Sequence, residues 1–255
     1  ALGVGQYVIA VSDYCDYPEQ VNDLTRVGSL FNPNLEQIVG LRPDLVIFSR
    51  GQSLLASQLQ QLGIETLAVS GRRLSDITES IELIGKAVGQ QAVAKRILAG
   101  MQEQFGWVRR NVNGRPKPSV LISLAHHLDN ADGAVYISGQ HDFYNDLLDI
   151  AGAENAYQLS YPKVPYIAYE GLLKLDPDII IDILPDGDDH DASIAELEQH
   201  WQQLSALRAV QLQRIHILEA DYATIPGPRV SRLVIELAKT IHPTLDWSEV
   251  PVVTP

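Results

Sequence analysis

Several side chains able to bind or coordinate stand directly after runs of apolar sequence, the places from which an α/β protein reaches its ligand. Tyr14, Tyr136 and Tyr222 each offer a flat π face with a hydroxyl at its rim, suited to a wide and partly apolar ligand. A packing tyrosine is the competing reading for each. His126 and His127 follow a strand-like run, where a neutral imidazole can fill an open axial position on a bound metal. Adjacent residues on an extended chain face opposite ways, so at most one of the pair points at a ligand. His127 is the preferred metal-ligand candidate, set against ordinary loop histidine. Arg50 carries a forked, permanently charged guanidinium suited to carboxylates or amides, unless it is simply solvated.

Other charged groups point less sharply. The run Asp186-Gly187-Asp188-Asp189-His190-Asp191 gathers the oxygen donors a hard cation needs, but lacks the spacing and closing glutamate of an EF-hand loop. A solvated acidic loop is the better reading. Arg229, in Pro226-Gly227-Pro228-Arg229, stands at a rigid turn and is expected in a structural salt bridge. His141, His200, His216 and His242 show no ligand spacing. No Gly-x-Ser-x-Gly elbow, Gly-x-x-x-x-Gly-Lys loop or His-Glu-x-x-His helix occurs, so the residues point to binding and not to an enzyme.

The elements that must hold these residues come from an internal repeat. Leu35-Glu36-Gln37-Ile38-Val39-Gly40-Leu41-Arg42-Pro43-Asp44-Leu45-Val46-Ile47 parallels Tyr169-Glu170-Gly171-Leu172-Leu173-Lys174-Leu175-Asp176-Pro177-Asp178-Ile179-Ile180-Ile181. Each copy reads as a short helix that stops before its proline, followed by a buried strand. Between the copies, Gln90 to Asn111 lacks proline and repeats Val93, Ile97, Met101, Phe105 and Val108 at helical spacing. At about 1.5 Å per residue such a helix spans roughly 33 Å, enough for a rigid strut. Strands are expected at 7–11, 45–48 and 66–69 in the first half, and at 119–124, 179–183 and 214–218 in the second. Strands alternating with helices predict an α/β fold of two similar lobes with mostly parallel sheets. The lobes are placed at 1–88 and 114–255, joined by the helix at 89–113, with the ligand cleft between them.

Composition narrows the classes further. Of 255 residues, 45% are hydrophobic, enough to bury a full core. Nineteen Lys and Arg against 32 Asp and Glu leave a net charge of -13, which repels nucleic acid and anionic membrane surfaces. The single cysteine, Cys15, can make no internal disulfide. No apolar run approaches the length of a membrane span, and no signal sequence is visible.

Several separated motifs together resemble the helical-backbone solute-binding family of ABC importers that serve cobalamin, ferric siderophores and haem. They are Val11-Ser12-Asp13-Tyr14-Cys15-Asp16-Tyr17-Pro18, the two Pro-Asp strand motifs, Gly152 to Asn155, and Gly227-Pro228-Arg229. The first looks most like the cobalamin-binding branch. The resemblance implies two lobes on a backbone helix and no intrinsic cofactor, with the ligand itself carrying cobalt or iron. It also implies a monomer at the periplasmic or extracellular face of the cell envelope. In the family one acidic residue on each lobe docks to permease arginines, and Glu36 and Glu170 match those positions. Relatives begin with a further strand and helix, and Ala1-Leu2-Gly3-Val4-Gly5 looks like the end of that helix. Tryptophans usual in cobalamin binders are replaced around Leu30 and Ser49. A bare transition-metal ion, bound through His126 and His127, is the alternative ligand, and a cofactor-processing enzyme a more distant one.

Overall fold

The computed structural model describes residues 1–126, 134–162, 164–184 and 193–251. Its chain divides into two compact units, one of Ala1–Gly71 with Thr78–Arg96, the other of Arg72–Ile77 with Ile97–Pro255. Both are α/β, and most strand pairs in them are parallel.

In the first unit, β1 (Ala10–Val11) pairs in parallel with β2 (Thr25–Arg26). The strand expected over 7–11 is thus shorter, because Gly5–Tyr7 turns as a 3-10 helix. The first repeat copy forms α1 (Leu35–Gly40) and β3 (Leu45–Ser49). Asn34 starts that helix by accepting the Gln37 N–H on its side chain at 3.0 Å. After α2 (Ser53–Gln61) comes β4 (Glu65–Val69), parallel to β3 in the register Leu45 to Glu65. Ile38, Leu55 and Leu59 form the core, with Val46, Phe48 and Ile64 packed on it.

Two longer helices follow, α3 (Leu74–Ala87) and α4 (Gln91–Val112). The division between the units falls within both. Buried Ala94, Ile97, Met101, Phe105, Val108 and Val112 give α4 one apolar stripe. Ala94 takes the place expected of Val93 because Gly85 admits it closely: a Cβ on Gly85 would stand 2.5 Å from the Ala94 methyl.

The second unit holds β5 (Ser119–His126), β6 (Val135–Ile137), α5 (Phe143–Ile150), β7 (Glu154–Asn155) and β8 (Tyr166–Ile167). The second repeat copy then supplies α6 (Tyr169–Leu175) and β9 (Ile179–Leu184). The chain ends through α7 (Ile194–Gln203), α8 (Arg208–Gln211), β10 (Ile215–Glu219), α9 (Asp221–Thr224) and α10 (Val230–Ile241). The sheet runs β10-β9-β5-β6-β8, with β7 also on β5, and only the β6 pairings are antiparallel. All six residues of β9 are buried, as a strand covered on both faces requires. Leu121, Ile180, Leu172 and Trp201 form one side of this core.

Both repeat copies turn from helix to strand through a left-handed residue just before proline, Arg42 at φ 51° and Asp176 at φ 39°. Extended geometry is the usual state before proline. Here the helix end wins: the Asp176 N–H closes on the Leu172 carbonyl at 2.9 Å, a left-handed cap. Asp176 also accepts the Arg208 N–H at 2.9 Å, and Asp178 the Ser119 N–H at 2.9 Å, so the second copy ties neighbouring elements together.

Candidate functional site

In the first unit, three loops are stitched side by side. The loop after β1 and the loop before α1 exchange bonds through Asp13 and Gly28: the Asp13 N–H donates to the Gly28 carbonyl, and the Gly28 N–H to Asp13 Oδ1, both at 3.1 Å. The second loop closes on itself, with Gly28 bridged to Pro33 and the Asn32 N–H donating to Ser29 Oγ at 3.2 Å. Only glycine fits at Gly28, whose φ is +88° and where a Cβ would collide with the Asn32 carbonyl oxygen. The third loop follows β3. Its Gln52 amide donates to the Leu30 carbonyl at 2.6 Å.

These loops present Tyr14, 82% exposed, and Phe31, 94% exposed. Arg50 stands in the third loop, its N–H donating to the Val69 carbonyl at 2.6 Å. Its guanidinium lies 3.9 Å from the Glu79 carboxylate, a solvated pair that holds it weakly. The loops thus carry Tyr14 and Arg50 on one tied framework. Phe31 and exposed Tyr17 were missed from sequence. The signal available for Phe31 was its place between Gly28 and Pro33, a short punctuated loop in which a large apolar residue has no core to enter.

In the second unit, Tyr136 lies in β6, directly opposite Tyr166 of β8 in the antiparallel register. Their ring centroids are 4.8 Å apart, a favourable tilted pair. His126 is the last residue of β5 and pairs with Val135. His127 and the Asp186–Asp191 run lie outside the described residues. Tyr222 occupies α9 and is only 7% exposed. The Arg232 guanidinium covers its ring at 4.3 Å, so this ring is held in a cation–π packing arrangement. Arg229 donates to Asp221 Oδ2 at 2.6 Å, the salt bridge expected of it. Glu36 and Glu170 are both exposed in the first turns of α1 and α6, where a carboxylate complements the helix dipole.

Beside this, Arg73 donates through Nε to Asp146 Oδ2 at 2.9 Å and through Nη2 to the other carboxylate oxygen. That fork raises the guanidinium above its ordinary pKa. Burial pushes the Asp142 carboxyl up, against the lowering hydrogen bonds it accepts from Asn145, Ser138 and Gly139.

A protein-family profile described as periplasmic binding protein matches residues 1–222. The chain is 30% identical over 252 residues to an uncharacterized ABC transporter substrate-binding lipoprotein, YvrC, of Bacillus subtilis, covering 95% of this chain and 76% of that one. It is 26% identical over 233 residues to a vitamin B12-binding protein of Pectobacterium carotovorum, covering 90% and 79% respectively. Among solved structures, a periplasmic heme binding protein from Pseudomonas aeruginosa shares the fold, with a TM-score of 0.78 at 22% identity and coverage of 100% and 90%.

Proposed function

This chain belongs to the periplasmic binding protein family, and from that premise we propose that it is the solute-binding component of an ABC importer. It captures a metal chelate outside the cytoplasmic membrane and delivers it to a membrane permease. A cobalamin-like corrinoid is the favoured ligand, with a ferric siderophore or haem next. The ligand brings its own cobalt or iron.

The observation that carries this reading is the pair Tyr14 and Phe31, held out on loops tied by main-chain hydrogen bonds. Leaving a phenylalanine side chain in water forgoes roughly 1.5–3 kcal/mol of burial, which a flat ligand with apolar faces restores. Arg50 supplies a fork for the carboxylates or amides at such a ligand's edge. The vitamin B12-binding relative supports the corrinoid preference. Glu36 and Glu170, exposed at matching points of the two repeat copies, are the proposed docking points for the permease. Calorimetry of the purified chain against cyanocobalamin, haemin and a ferric catecholate tests the ligand class. Saturable one-to-one binding of at least one is expected, and binding of none sinks it.

A further inference from the structure

We infer that Arg26 is a positioning residue for this site, gathering the main-chain carbonyls on both sides of Tyr14 and so fixing where that ring stands. The inference rests on the ligand reading above. Arg26 Nη1 donates to the Ser12 carbonyl at 3.0 Å, to the Asp13 carbonyl at 3.4 Å, and to the Cys15 carbonyl. Nη2 donates to Asn22 Oδ1 at 3.2 Å, which holds the fork in its plane.

Three carbonyls aimed at one point repel one another unless a cation stands there. The strand ladder cannot take over this task, since β1 and β2 each contribute two residues and pair only from Ala10 to Thr25 and Val11 to Arg26. Arg26 is itself in that ladder, so its guanidinium reaches the loop from a fixed backbone. Lysine can bring the charge but not the planar fork that also reaches Asn22.

The loop contains its own reporter. Cys15 is the one cysteine of the sequence, partly buried, with Sγ 3.1 Å from Ser12 Oγ. Its rate of reaction with a disulfide reagent in the native protein reads the order of the loop without any ligand. In Arg26→Met, we expect a cooperative melt close to the wild type, thiol reaction about tenfold faster, and affinity for whichever of cyanocobalamin and haemin the wild type binds lowered about tenfold, as the loss of a charged hydrogen-bonding centre implies. Arg26→Lys should lie between the two.

An unchanged thiol rate overturns the inference. So does a faster thiol with unchanged affinity, since the arginine would then be only a structural latch. If the methionine variant does not fold, Arg26→Lys decides by the same measurements, and values equal to the wild type overturn it. Should the wild type bind neither probe, the ligand reading fails separately. The thiol rate then decides alone whether Arg26 holds the loop.

Discussion

The Trp201 indole N–H donates to the Asp182 carboxylate at 2.8 Å, and neither residue reaches solvent. Asp182 lies in β9 between Ile181 and Ile183, so this bond helps to settle a charge-bearing group inside an apolar sheet. Removing a donor from a buried carboxylate costs more than an ordinary hydrogen bond. Trp201→Phe should therefore destabilise the protein by about 3 kcal/mol. The measurement is a urea midpoint that falls at unchanged m-value.

The helix-to-strand turns offer a paired test. Gly63, between α2 and β4, has φ +77° with open space where an alanine methyl would stand, and Gln213, between α8 and β10, has φ 55°. Gly63→Ala should cost about 1 kcal/mol through backbone conformation alone, and Gln213→Gly should gain up to about 1 kcal/mol. Thermal melts of the two variants should shift in opposite directions.

How far these turns were legible is instructive. Proline marked the end of α1 and α6 because it forbids the next helical hydrogen bond, and the apolar spacing of Ile97, Met101, Phe105 and Val108 located α4 to within a residue at each end. Periodicity is written in the sequence; the left-handed φ of Arg42 and Asp176 is not, because it arises from competition between helix capping and the proline ring. Site residues were less legible. Tyr14 and Phe31 both stand out in solvent, yet only Tyr14 followed a recognisable motif. Tyr222 looked equally available, but its cover comes from Arg232, which lies one helix later in the chain.

A pH dependence follows from two histidines. Burial, with Arg214 adding to it, lowers His216 below its ordinary pKa. Burial also lowers His242, helped by Arg214 and Arg115 and opposed by hydrogen bonds with Ala151 and Gly152. A base with a depressed folded pKa is protonated first in the unfolded chain, so its contribution is complete above about pH 6.5 and is lost as pH falls through the folded value. The melting temperature should drop from about pH 6.5 toward pH 5, and His216→Gln with His242→Gln should flatten that slope. Asp142, raised by burial, acts with the opposite sign at lower pH.

Docking and capture should separate cleanly. Glu36→Arg with Glu170→Arg leaves the loops after β1 and β3 untouched, so ligand affinity should stay within about twofold of the wild type, as expected for exposed substitutions. Uptake in cells carrying the cognate permease should be abolished. Undiminished uptake by the double variant would refute the docking assignment.

The boundary between the two units runs through the hydrogen-bonded interior of α4, after Arg96, with no loop there to mark it. Dissecting the protein into separately expressed halves would therefore sever a continuous helix, leaving a six-residue stub from Gln91 to Arg96 on one fragment and opening four unsatisfied N–H groups on the other. Exchange of halves between relatives requires a matched helical splice, since this molecule has no interchangeable tether at that point.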